Sequence, residues 1–312
     1  MVSDGRSTSA NLHRVTPTSR VVSRWAPALV WLTLPLVAGP AFADALDPRS
    51  TAVRLVATVG LWALWAAGLV AALVPSTASL TAIRILMPAS LAATAWAALV
   101  APHGADAIYS VPLGVTALVS VLSMSAGVGY TFVNGSSYGD ERRFPLRPPG
   151  PVVLGPLEIL WVVMVLGSFA GPILLATRQW LLGGIVTVVA LAVVVLGVRA
   201  IHQLSRRWFV FVPAGVVLVD RSVLLDALLV QRQRVGTIRA AAADTTATDL
   251  TAGALGMPLE LRLTEPDTII PTPPRSERHR TVVPAEVDAV LFTPTRPGWV
   301  IDAARERRLS VG

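Results

Sequence analysis

Residues 206–220 read RRWFVFVPAGVVLVD and follow directly on a long apolar segment. Whether they form another membrane span or open a domain folded in water decides how the chain divides. From Trp208 to Val219 the apolar run is too short to cross a bilayer core, which takes roughly 20 helical residues. Its content is aromatic and β-branched, and Pro213-Ala214-Gly215 in its middle supplies turn chemistry. The stretch therefore predicts a β-hairpin leaving a membrane, with helices before it and a β-rich segment after it.

Toward the N-terminus, composition carries the argument. Of 312 residues, 53% are hydrophobic and 14% charged, with a mean hydropathy of +0.62; soluble domains carry roughly 25% charge. A multi-pass α-helical protein of the cytoplasmic (inner) membrane is expected, with apolar segments near residues 25–43, 52–74, 79–101, 109–132, 152–176 and 180–201. Cysteine is absent, which excludes disulfides, thiolate zinc sites and thiol nucleophiles. Lysine is absent too, so all 26 basic residues are arginine.

These arginines set the orientation. Arg6, Arg14, Arg20 and Arg24 precede the first segment, Arg142, Arg143 and Arg147 lie between the fourth and fifth, and Arg199, Arg206 and Arg207 follow the sixth. The opposite loops are leaner, so the positive-inside rule puts the N-terminus, the 133–151 loop and the C-terminus in the cytoplasm. The same placement assigns the net charge of +7 to anionic lipid at the membrane surface and not to nucleic acid. Ala41-Phe42-Ala43 before Asp44 has the form of a signal-peptidase site. The first segment is thus either removed there or kept as a span, and the orientation of the rest is the same.

Beyond the hairpin, further strands are expected over 228–234, with Val230, Arg232 and Arg234 on one face, over 258–263 and over 287–292. A helix is expected from Pro297, with Trp299, Val300, Ala303 and Ala304 as its apolar stripe. The chain divides accordingly into a basic tail (1–24), a transmembrane helical domain (25–204) and a cytoplasmic β-rich domain (205–312), with a flexible insertion at 264–281. The run of RWFVFVPAGVVLVD, LLVQRQRVGTIRA, MPLELRL and VLFTPTRPGWVIDAARERR resembles the bacterial pleckstrin-homology-like (PH-like) domains attached to polytopic membrane proteins of actinobacteria. That resemblance covers residues 205–312 and implies a seven-stranded, strongly bent sheet capped by the C-terminal helix.

No reaction chemistry is legible. GSSYG (135–139) fits G-x-S-x-G but lacks the strand before and the helix after that a nucleophile elbow needs. GVGYT (127–131) lacks the closing glycine of a potassium filter. Ser123 with Gly127, Ser125 with Gly129 and Gly167 with Gly171 read instead as close-packing pairs. No paired-histidine metal spacing and no phosphate loop occur, so no catalytic residue, metal or cofactor is expected.

Three groups remain as candidate sites. Arg84 and Glu158 enter the bundle to similar depth from the same side, as an ion pair or as two side chains reaching for the interface. The loop residues Tyr138, Asp140, Glu141, Arg142, Arg143 and Arg147 form either a topology signal or a docking surface. Arg206, Arg207, Arg221, Arg232, Arg234 and Arg239 form a membrane-proximal basic patch suited to anionic lipid. The expected role is an interaction or regulatory protein whose 205–312 module meets a partner protein or anionic lipid. The alternative is a component of a small-solute or lipid transporter or channel, in which Pro35, Pro88 and Pro112 interrupt helices.

Overall fold

The computed structural model describes residues 17–100, 107–273 and 283–312. Arg6 and Arg14 lie outside them. The chain forms two compact units, one built from Val21–Ser137 with Pro151–Arg206, the other containing Tyr138–Gly150 with Arg207–Gly312.

The first unit is helical: α1 (Pro17–Leu46), α2 (Thr51–Leu73), α3 (Thr77–Leu99), α4 (Ala107–Met124), α5 (Ala126–Asn134), then α7 (Pro156–Ala176) and α8 (Trp180–Ser205), with the short α6 (Gly150–Val153) leading into α7. Among the described residues, five helical segments are long and apolar enough to cross a membrane, or six if α4 and α5 form one span. The expected fourth span is therefore not one straight helix. It bends by 57° between α4 and α5, where Ser125 caps α5 by accepting from Val128 N, which rebuilds a helix start inside an apolar run.

The prolines, by contrast, interrupt nothing. Helices α1, α3 and α4 run through Pro35, Pro88 and Pro112. Pro35 has no N–H for the Trp31 carbonyl one turn earlier, and Trp65 Nε1 takes that carbonyl at 3.0 Å. Trp31 Nε1 returns a bond to Trp65 O at 2.8 Å. Trp161 Nε1 similarly donates to Ile85 O at 3.2 Å, on the turn before Pro88.

Glycine sets the closest approach, at α7 and α8. A Cβ on Gly171 would sit 2.4 Å from Thr187 Oγ1, and one on Gly167 2.9 Å from Ala190 Cβ. The expected pair of small residues thus lies at a helix crossing. Ala41 and Ala45, around the Ala-Phe-Ala tripeptide, are buried in one cluster with Ala97 and Tyr109, and Tyr109 Oη donates to Asp44.

The second unit holds two four-stranded sheets, ordered β1-β2-β3-β4 and β5-β7-β8-β6. The hairpin forms as read, with β2 (Trp208–Val212) antiparallel to β3 (Gly215–Val219). Strand β1 (Arg142–Pro145) comes from the loop between the fourth and fifth apolar segments and pairs antiparallel with β2, Phe144 opposite Phe209.

The strand expected over 228–234 stops early. β4 covers Leu228–Gln231, Arg232–Arg234 tighten into a 3₁₀ turn, and β5 (Val235–Ala240) begins the second sheet. Arg232 and Arg234 therefore do not continue the strand face of Val230. β7 (Leu259–Ile269) is longer than expected and pairs with β8 (Ala285–Phe292), while the two-residue β6 (Thr248–Asp249) lies parallel to β8. Residues 264–269, assigned from sequence to a flexible insertion, are thus ordered strand. The ladder is irregular between Arg262 and Asp267, where Pro266 has no N–H to give. Residues 274–281 of that insertion lie outside the described residues.

Helix α9 (Pro297–Glu306) buries Val300, Ala303 and Ala304 of its expected stripe, while Trp299 is half-buried. The core between the sheets is aromatic. Phe209 stacks on Phe292 at 4.4 Å between ring centroids, and Phe211 meets Phe209 and Phe144 edge-on.

Candidate functional site

The loop between the fourth and fifth apolar segments is built into the sheet unit. Its apolar residues Phe144, Pro145 and Leu146 are buried, and its backbone continues past β1 with Arg147 N donating to Thr293 O and Thr295 N to Pro145 O. These bonds close the outer side of β1 against the chain that leaves β8. Three of the loop's charged side chains are then taken up in ion pairs. Arg142 pairs with Glu306 of α9 at 2.5 Å. Arg143 bonds Glu141 at 2.8 Å and lies over the Trp208 ring. Arg143 first, then Tyr138 N, hold the Glu141 carboxyl below the usual range against its burial. The Asp140 carbonyl accepts from Arg307. Arg147 is exposed and flanks Gly256. Tyr138 is 91% exposed.

Half of the expected basic patch is neutralised. Arg207 is buried and cannot meet a headgroup: it pairs with buried Asp220 at 2.5 Å and donates to Arg147 O at 2.7 Å. Asp220 is completed by Ser222, whose N and Oγ both donate to it. Arg234 pairs with Asp267 and Glu265. Arg239 bonds Glu260, whose buried side chain also accepts from Arg262 and Thr245. Burial works against the Glu260 charge, but the hydrogen bonds from Thr245, Arg239 and Arg262 outweigh it and lower the carboxyl's pKa. Arg206, Arg221 and Arg232 are exposed and form no ion pair among the described residues, although Arg232 donates to Arg307 O. Sequence reasoning missed this neutralisation because Glu260, Glu265 and Asp267 lie on β7, roughly two to three dozen residues beyond Arg234 and Arg239, and because nothing in the hairpin's sequence shows that Asp220 folds back onto Arg207.

Arg84 and Glu158 form no ion pair. Glu158 is exposed and caps α7 by accepting from Gly155 N at 2.9 Å, which occupies it at its own helix start. Arg84 Nε is buried without a hydrogen-bond partner, and its guanidinium lies 3.0 Å from where a Cβ of Gly129 would stand. In GSSYG, Ser137 Oγ donates to Asn134 O at 2.7 Å and the chain goes on to β1, so neither flank of a nucleophile elbow is present. Among the described residues no cluster of metal-ligating side chains occurs.

What is left open on the sheet unit is an edge. β5 is covered by the C-terminal residues, with Ile238 N donating to Ser310 O and Gly312 N to Ile238 O. β4 has a strand on one side only among the described residues. It points Leu228 and Val230 inward and Leu229 and Gln231 outward, so Leu229 (53% exposed) and nearby Leu225 (48%) present apolar surface there. The chain matches no known family model, curated protein or solved structure.

Proposed function

We propose that this is a multi-pass membrane protein of the cytoplasmic membrane that acts as an interaction or regulatory subunit, with its sheet unit a cytoplasmic PH-like module that docks a partner protein. The two-sheet core with a terminal helix supports the PH-like reading, and the long apolar helices support the membrane reading. The observation that carries the choice of a protein partner is the pairing of charge around the sheets. Arg207, Arg234 and Arg239 are taken by carboxylates, while edge strand β4 keeps exposed Leu225 and Leu229. Unpaired strand edges accept extended segments of other chains, with backbone bonds for affinity and side-chain pockets for selectivity.

The test is cross-linking mass spectrometry in native membranes on the full chain and on Leu225→Glu/Leu229→Glu. Loss of a near-stoichiometric partner in the variant is the expected result. Equal cross-linking of the same proteins by both chains sinks the reading, and loss only in Arg221→Ala/Arg232→Ala would transfer it to anionic lipid. A second reading, a lipid or small-solute carrier, is favoured by a pocket among the helices. Substrate flux in proteoliposomes of the purified chain tests it.

A further inference from the structure

The helical unit contains a cavity of about 500 Å³ between α1, α2 and α3, with Thr116 of α4 and Phe169 of α7 also on its wall, a size typical of small-molecule sites, which run from about 300 to 1,000 Å³. Its shape follows from where large and small side chains fall. Along α2, Arg54, Thr58, Leu61, Trp62 and Trp65 recur at helical spacing and line one wall. Facing it, α1 and α3 place the small Ala38, Gly39, Ala89 and Ala93 between larger residues such as Leu34, Phe42 and Leu86, which leaves room between them. At one end, Trp31 and Trp65 exchange their two indole bonds. At the other, where α1 gives way to α2, stand Asp47 and Arg54.

The cavity is thus charged at the helix ends and mainly apolar along the helices, where the hydroxyls of Thr58, Ser90, Thr94 and Thr116 also line it. From Arg54 to Trp65 the helix rises about 16 Å at 1.5 Å per residue. Half of a ~30 Å hydrocarbon core is about 15 Å, the depth that one acyl chain fills. A helix about 10 Å across does not fit a cleft of this volume, which argues against a second copy of the chain as occupant. The charged end suits a headgroup carrying both signs. Asp47 and Arg54 touch at 3.4 Å, with side chains 81% and 45% exposed, a weak surface pair that exchanges readily for better partners. An ammonium finds Asp47 there and a phosphate finds Arg54.

We propose that this cavity is a binding site for one zwitterionic aminophospholipid of the membrane, its headgroup between Asp47 and Arg54 and one acyl chain running to Trp31 and Trp65. The inference rests on the membrane-spanning reading of the helices. Two glycines make it testable without disturbing the fold. A Cβ added at Gly39 meets nothing within 4 Å, and neither does one at Gly60. Gly39 lines the cavity; Gly60, on α2, does not.

The experiment is native mass spectrometry of the full chain released from nanodiscs of equal phosphatidylethanolamine and phosphatidylglycerol. It compares wild type with Gly39→Leu, Gly60→Leu and Arg54→Glu, each checked for an unchanged thermal midpoint. The expected result is one retained phosphatidylethanolamine per wild-type chain. Retention should fall about tenfold in Gly39→Leu and Arg54→Glu and stay at the wild-type level in Gly60→Leu. Equal retention by Gly39→Leu and wild type overturns the site, and equal retention of the two lipids by wild type overturns the headgroup assignment. Alkaline extraction of native membranes separates the premises: a chain that leaves the membrane fraction removes the spanning reading itself, whereas one that stays but holds no lipid defeats only the site.

Discussion

In the helical unit the buried serines and threonines each bond the backbone of their own helix, and Thr81, Thr94 and Ser120 add a bond to a neighbouring helix. Thr81 bonds Thr77 O, Thr94 bonds Ser90 O, Thr116 bonds Pro112 O, Ser120 bonds Thr116 O and Ser123 bonds Ser120 O. In the sheet unit the buried polar groups include Arg207, Asp220 and Glu260, and their partners come from other segments of the chain. A hydroxyl that can fold back on its own helix costs little wherever the helix is placed. A buried charge is tolerated only in the arrangement that brings its counter-charge. Buried charge therefore ties the sheets to one arrangement, whereas the helices are joined by neutral bonds such as those of Trp31 with Trp65 and Thr94 with Thr116. Arg84 is the exception within the helices, a charge whose Nε has no partner.

Substitutions can break this contrast. The largest effect is expected from Arg207→Met, which strands Asp220 and should cost the sheet unit about 3–5 kcal/mol, while Arg207→Met/Asp220→Leu recovers most of it. Hydrogen exchange of the β2 amides in the full chain reads both. If the double variant is no better than the single, the cost does not arise from an uncompensated charge. Phe144→Ala should be of comparable size, about 3–5 kcal/mol, because its ring is buried against Phe211. Faster exchange confined to β1, with β2 and β3 unchanged, would show the loop to be an appendage and not part of the core.

Glu260 sharpens the contrast through pH. Its lowered pKa means that the folded state binds fewer protons than the unfolded one. The stability it adds is fully present above about pH 4.3, the ordinary glutamate value, and is lost as pH falls through the lowered pKa. In Glu260→Gln, acid unfolding followed by tryptophan fluorescence should lose that part of its pH dependence; an unchanged acid limb would assign it to other carboxylates. The smallest effect is expected in the helices. Thr94→Val removes the 2.9 Å bond to Thr116 and should cost about 0.6 kcal/mol, read as a thermal shift in detergent. A cost as large as that of Arg207→Met would erase the distinction between the units.

How far each unit was legible follows from the same physics. Apolar length is a local property, so the helices were readable from a window of residues, and so was the Trp208–Val219 hairpin with its central turn. Ser125 was not read as a break because a single serine in an apolar run has the same look whether it packs or caps. β1 was hidden because four residues between a turn and two prolines carry no periodicity, and their partner strand lies beyond two further long helices. The signal was present as an excess of charge in that loop, but its meaning depended on Glu306 and Trp208. Glu260 and Asp267 were concealed as counter-charges by their place on another strand, and Asp220 by a hairpin whose closing contact the sequence does not show.

Strand β1 also imposes a schedule on biosynthesis. Arg147, which follows it, and Arg207, which precedes β2, are 60 residues apart. At about 5–20 residues per second, the ribosome needs roughly 3–12 s to make that interval. Throughout it, Phe144 and Leu146 exist without the strand that will cover them, while α7 and α8 are still being made. The nascent protein therefore passes through a stage in which its helices are nearly complete and an apolar, unpaired strand segment waits. A chaperone that shields that segment, or a pause in translation after Arg207, acts at the one point where the sheets can still fail to assemble.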